Sequence, residues 1–260
     1  MSIKVTVWNE CRHEQEDEEV RRVYPETIGG AIVQGLEKDA ERDFRLTLKT
    51  LDDDDQGLPE TLLNDTDVLV WWGHRYHDEV DDARVDFIHE RVIAGMGLIV
   101  LHSGHHAKIF RRLMGTSCNF AWREADEGER ERLWTIQPSH PIAAGLPPYI
   151  ELPKSEMYGE PFDIPVPDEL VFISWYEGGD VLRSGCCFNR GRGKVFYFGP
   201  GHETFPIYRD PDVLRILANG IEHVKQKHTA GWGFDHWGRP EPVEAGAPRQ
   251  TRFKKPRGAA

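Results

Sequence analysis

The sequence is poor in several features that fix a functional class at sight. It has four cysteines in 260 residues: Cys11, Cys118, Cys186 and Cys187. One adjacent pair and two isolated thiols make no secreted disulfide framework, and without a CxxC pair there is no zinc knuckle. Reduced, buried thiols are the expectation. Long apolar runs are missing too: no stretch approaches the ~18 apolar residues that read as a membrane-spanning helix. Basic charge is scarce, with 32 Lys and Arg against 44 Asp and Glu and a net charge of −12. A phosphate-tracking surface needs clustered Lys and Arg, so nucleic acid is not an expected partner. The one basic cluster (Arg249, Arg252, Lys254, Lys255, Arg257) lies in the last residues. The opening MSIKVTVW reads as a core strand and lacks the layout of a signal peptide. The expected setting is therefore cytoplasmic, without membrane association.

What is present suits one α/β domain. Hydrophobic residues make up 39% and charged residues 29%, enough to bury a real core. Residues 3–8 alternate and are β-branched, as a strand requires. Residues 28–40 carry Ile28, Ala31, Ile32 and Leu36 at helical spacing. Residues 44–51 read as a second strand. Val68 to Trp72 and Gly97 to Leu101 are continuous apolar runs, the mark of parallel strands covered on both faces. Helices are predicted over 80–94 and after His106. Later strands are predicted over 170–176, 181–189 and 193–199, then a closing helix over 211–225 with Pro in its first turn. The alternation implies right-handed βαβ units. Residues 116–167 read as an irregular, functional insertion. The acidic runs 14–19 and 52–55 read as solvated faces. The domain is placed at 1–225. Residues 226–260 follow as an extended arm, whose Trp232, Phe234, Trp237 and Phe253 suit docking on its own domain or on a partner subunit, the second making a homo-oligomer through the arm.

Ligands of open parallel sheets bind beyond the carboxyl ends of the strands. Three strands here end in Gly and His: Gly73-His74, then His102-Ser103-Gly104-His105-His106, then Pro200-Gly201-His202-Glu203. If those strands are neighbours, the histidines converge. Imidazoles are common metal ligands, and three with a carboxylate suit Zn, Mn or Fe. The candidate metal set is His74, His102, His202 and Glu156, with Glu160 as a further carboxylate from the insertion. Histidine near neutrality also serves metal-free acid/base catalysis. A non-catalytic site is the third reading. No nucleotide cofactor is expected.

The segments VLVWWGH (68–74), GLIVLHSGHH (97–106), SHPIAAGLP (139–147), SEMYGEP (155–161) and VFYFGPGHE (195–203) resemble the ThuA-like, trehalose-utilisation family over about residues 1–225. The resemblance implies a three-layer, flavodoxin-like, mostly parallel sheet with helices on both faces, of the class I glutamine amidotransferase-like type. Those enzymes place a Cys nucleophile on the elbow after a central strand. Here His102 stands at the elbow and His202 takes the place of the late histidine, so glutamine hydrolysis by a thiolate is not expected. Ser103, one residue off the elbow, is a weaker nucleophile candidate.

The family also implies an enzyme acting on trehalose or a related disaccharide or keto-sugar, by isomerisation, epimerisation, elimination or hydrolysis. Its expected catalytic groups are His102, His202 and Glu156. The expected sugar contacts are Trp72, His105, His106, Trp122, Tyr158, Glu160 and Glu203. The competing expectation is a sugar-binding or regulatory protein on a scaffold that has lost its nucleophile.

Overall fold

A computed structural model describes residues 2–125 and 128–226. Residues 227–260, which hold nearly all of the expected arm and its proposed subunit contact, lie outside the described residues. The elements run β1 (Ile3–Asn9), α1 (His13–Glu16), α2 (Glu18–Val23), α3 (Ile28–Glu37), β2 (Phe44–Thr50), α4 (Glu60–Asn64), β3 (Val68–Trp72), α5 (Asp82–Ala94), β4 (Gly97–Leu101) and α6 (Lys108–Met114). They continue with β5 (Ala121–Arg123), β6 (Glu129–Thr135), β7 (Tyr149–Ser155), β8 (Met157–Gly159), β9 (Glu169–Tyr176), β10 (Val181–Arg190), β11 (Gly193–Phe198) and α7 (Pro211–Val224). Among the described residues no helix is long and apolar enough to cross a membrane.

Nine strands form one mixed sheet in the order β2-β1-β3-β4-β11-β10-β9-β6-β7. The half from β2 to β11 is parallel throughout. The half beyond β11 is an antiparallel extension. Every residue of β3 and β4 is buried, as their unbroken apolar runs require of strands with helices on both faces. One face packs on α3 and α7 through Ile28, Ile32, Val213, Leu217 and Ile221. The other packs on α5 and α6 through Val85, Ile88, Ile109 and Phe110.

The predicted ends shift where local chemistry intervenes. Asp81 sits in extended conformation ahead of α5, which begins at Asp82 rather than at residue 80. α3 stops at Glu37 rather than residue 40. The last helix matches its signal: Asp210 accepts N–H bonds from Asp212 and Val213 with Pro211 behind it, a capped start. The largest difference is in 116–167, expected to be irregular, which holds four strands. Its hairpin β6–β7 buries Leu133, Ile150 and Leu152 and turns charge outward, with Arg132 against Glu151 at 2.7 Å. The alternation is hidden because Glu131 occupies an inward, fully buried position and Trp134 an outward one. The acidic run 14–19 also departs from a solvated face, since Glu14 is buried and accepts from the Asn9 amide and the Ile28 N–H.

The consequence for function is the shared direction of β1, β3, β4 and β11. Their carboxyl ends lie side by side, so the loops after residues 9, 72, 101 and 198 open at one edge. The central layer should be sensitive to truncation. Phe198→Ala, at a fully buried position, is expected to lose ~3–5 kcal/mol in chemical denaturation. Val166→Ala, at an exposed one, should change stability by less than ~0.5 kcal/mol.

Candidate functional site

At the end of β4 the backbone turns sharply, and His102 takes a φ of 47°. A non-glycine residue held there costs ~1–3 kcal/mol and persists only where its surroundings over-determine it. They do so here. The His102 Nδ1 lies 2.8 Å from the Gly199 carbonyl oxygen, and the ring stacks on Tyr158 at 4.5 Å. A carbonyl only accepts, so Nδ1 carries the hydrogen and Nε2 is left to face the site. Nε2 meets the Tyr158 hydroxyl at 3.0 Å and Glu156 Oε2 at 3.1 Å. The Tyr158 hydroxyl meets Ser103 Oγ at 2.8 Å. Burial raises the Glu156 pKa, but its bond to His102 and the charge of that ring outweigh burial and hold the carboxyl below its ordinary value.

The late histidine is set by a glycine. Gly201 has a φ of 149°, and an added Cβ would stand 2.0 Å from the Tyr208 hydroxyl, so only glycine fits. The next residue, His202, receives the Thr204 N–H on Nδ1 at 3.3 Å, with the Thr204 hydroxyl at 2.8 Å. The neutral ring therefore carries its hydrogen on Nε2, which points among Glu124, Glu203 and Glu156 at 3.7, 3.8 and 3.9 Å. Burial pushes the His202 pKa down to about 4.

A third group gathers on the β1 and β3 loops. His74 Nδ1 lies 2.9 Å from Glu203 Oε1, and His13 Nε2 lies 3.8 Å from the same oxygen. Burial opposes charge on all three. It dominates at His13, whose pKa is lowered. At His74 the bond and charge of Glu203 prevail and the pKa is raised. Glu203 is correspondingly held well below its ordinary value. Behind the loop, the buried carboxylate of Glu10 accepts the backbone N–H groups of His74, Arg75 and Tyr76 at 2.7, 3.1 and 3.0 Å.

These groups surround a cavity of about 440 Å³, whose walls include His13, His74, Glu156, Tyr158, His202 and Glu203. His105, His106 and Trp122 also face it. Trp122 is 64% exposed at the rim. His102 stands just behind Glu156 and is buried.

Two expected contacts are placed elsewhere. Trp72 is fully buried and donates its indole N–H to the Gly201 carbonyl. Glu160 is paired with Arg183 at 2.7 Å and caps the Phe162 N–H, because the guanidinium is the nearest charge that can satisfy it. The expected metal quartet is divided. Glu156 holds His102, His74 turns to Glu203, and His202 lies between them. Sequence reasoning missed His13, Glu124 and Arg75. Only position after β1, a neighbour of β3, could have pointed to His13. All four cysteines are free and buried, away from the cavity.

A family profile described as ThuA, trehalose utilisation, matches residues 4–224. No curated protein matches the sequence. Among solved structures, the fold is similar to a ThuA-like protein from Parabacteroides merdae, with a TM-score of 0.62 and 16% identity over 88% of this chain and 93% of that one. It is similar to a ThuA-like protein from Bacteroides uniformis, with a TM-score of 0.56 and 17% identity over 85% and 91%. A cytoplasmic protein from Salmonella typhimurium gives a TM-score of 0.53 and 12% identity over 86% and 100%. At these identities the likeness is one of fold.

The buried ring of His105, whose Nδ1 faces the Cys118 carbonyl oxygen at 2.7 Å, sets a pH response. Burial chiefly, with the neighbouring His106, lowers its pKa well below the ordinary value. The unfolded chain then binds more protons than the folded one, and stability rises with pH across that window. The folded protein should lose stability as pH falls below about 6.5, down to the depressed pKa. His105→Phe should flatten that slope by up to one proton, ~1.4 kcal/mol per pH unit, in urea melts at a series of pH values.

Proposed function

The chain belongs to the ThuA, trehalose utilisation, family, and on that premise we propose that it is a metal- or histidine-dependent enzyme acting on trehalose or a related disaccharide or keto-sugar. One observation carries the reading: a buried carboxylate, Glu156, faces the cavity with His102 behind it at 3.1 Å and His202 across from it at 3.9 Å. Glu156 is the group that takes or gives a proton at a sugar carbon or hydroxyl. His102 keeps its Nδ1–H on the Gly199 carbonyl and shares one further proton between its Nε2 and the Glu156 carboxylate. The His202 Nε2–H is a donor for a carbonyl or hydroxyl oxygen. Tyr158 and Ser103 extend the proton chain behind the pair.

The walls favour an uncharged sugar. Asp17, Glu19, Glu124, Glu156 and Glu203 line the cavity, and among the described residues Arg75 is the one Arg or Lys in its lining, so a phosphorylated sugar would meet net repulsion. Exposed Trp122 at the rim offers an apolar face for a sugar ring. A divalent ion (Zn, Mn or Fe) bound in the cavity would polarise a carbonyl oxygen. No thiol is positioned to act as the nucleophile, since the four cysteines are buried elsewhere and burial pushes their pKa values up.

Incubation with trehalose, related neutral disaccharides and their 3-keto derivatives is the test. Turnover is expected with at least one. Glu156→Gln should lower kcat by ~10²–10⁴-fold with sugar binding retained. Trp122→Ala should act mainly on KM. Saturable binding with no product from any of them would sink the enzyme reading and leave a sugar-binding protein.

A further inference from the structure

We infer that the cavity binds a divalent transition-metal ion on His13, His74 and Glu203, not on the quartet suggested by the strand ends. The ion's role in sugar chemistry rests on the proposed function, whereas the binding itself does not. Three separate loops bring these side chains to one point. They follow β1, β3 and β11, which share an edge of the sheet. Their donor atoms all lie within 4.8 Å of one another. Zinc bonds of ~2.0–2.2 Å to nitrogen and oxygen put tetrahedral neighbours roughly 3.3–3.5 Å apart. The 2.9 Å and 3.8 Å from Glu203 Oε1 to the rings of His74 and His13 bracket that spacing.

Orphaned atoms point the same way. Both ring nitrogens of His13, the Nδ1 of His74 and the Oε2 of Glu203 are buried without a hydrogen-bond partner, as is the Oε2 of Glu156, which lies 3.1 Å from His102 Nε2. Buried polar atoms are ordinarily paired, and unpaired ones call for an explanation such as an ion. The wall also carries five carboxylates against one Arg, a charge balance that a dication relieves. Glu10, holding the N–H groups of residues 74–76, fixes the loop from which His74 reaches in, as outer groups do at metal sites.

The remaining histidines fit less well. His202 accepts an N–H on Nδ1, so its Nε2 bears a hydrogen and has no free lone pair. His102 Nε2 is already engaged by Tyr158 and Glu156. Among the described residues one other donor cluster exists: His140, Glu169, Cys187 and His223. It brings its own cation, because the Lys194 ammonium lies 3.2 Å from His223 Nε2. His140 there accepts the Ile142 N–H on Nδ1, so the hydrogen on its Nε2 is directed at Glu169. Two imidazoles and one carboxylate make a three-ligand set of the kind that leaves coordination positions open for water or substrate. Those positions face the cavity, and the His102–Glu156 pair is left free to move protons.

The experiment is metal binding by the full chain, purified without a histidine tag and stripped with chelator. Zn²⁺ titration by calorimetry should give one equivalent per chain. His13→Gln and His74→Gln should each weaken zinc by more than the ~10–100-fold that outer groups command. His102→Gln and Glu156→Gln should leave zinc affinity unchanged. Co²⁺ bound at this site should show no thiolate charge-transfer band, and Cys187→Ser should not alter the stoichiometry.

The inference is overturned if the folded wild type binds no stoichiometric zinc, if His13→Gln binds zinc as the wild type does, or if the only bound ion depends on Cys187. Should His13→Gln fail to fold, anomalous scattering from a zinc-soaked wild-type crystal locates the ion directly. An ion anywhere but between His13, His74 and Glu203 refutes the site. Sugar turnover by zinc-free protein that binds no zinc refutes the site and leaves the proposed function standing. Zinc on His13 and His74 with no sugar turned over does the reverse.

Discussion

Two carboxylates, Glu156 and Glu203, are buried at the carboxyl edge of the sheet, and much of the local structure answers that fact. A buried ionised carboxylate is costly unless paired and hydrogen-bonded. Glu156 is answered by His102 at 3.1 Å, and Glu203 by His74 at 2.9 Å. Each imidazole must then be held in turn. The Gly199 carbonyl and the face of Tyr158 hold His102. The loop gripped by Glu10 holds His74.

The elbow after β4 follows from the same demand. With its left-handed backbone, His102 points its Nε2 toward Glu156 while its Nδ1–H reaches the Gly199 carbonyl just past β11. Gly201 serves β11 in a similar way: with no Cβ, it lets the chain pass Tyr208 and present His202 and Glu203 together. An imidazole, not a thiol, therefore stands at the turn after β4. His102 lies behind the Glu156 carboxylate rather than in the cavity lining.

Much of this was legible in the sequence. Buried strands β3 and β4 announced themselves as unbroken apolar runs, and α7 by its Asp-Pro start. The Gly-His endings of β3 and β11, and the histidine run after β4, marked the edge. The hairpin β6–β7 was not legible, because buried Glu131 stands where an inward apolar residue would be expected and Trp134 faces outward. Glu160 looked like a cavity carboxylate, because nothing local in the sequence told of Arg183, which comes from β10. His13 was hidden in an acidic segment that looked solvated, and Glu10 at the end of β1 gave no signal.

By itself the sequence determined the parallel layer, its helices, the absence of a thiol after β4 and the edge on which the histidines gather. Those properties depend on local pattern: apolar runs, caps, and which residues end which strands. Only the tertiary structure decided how the site is partitioned. It gave His102 to Glu156 and His74 to Glu203, set His202 between them, and brought His13 in from the loop after β1. Partners of a buried charge are chosen by distance and by competing hydrogen bonds in three dimensions, and one chain read in order carries neither.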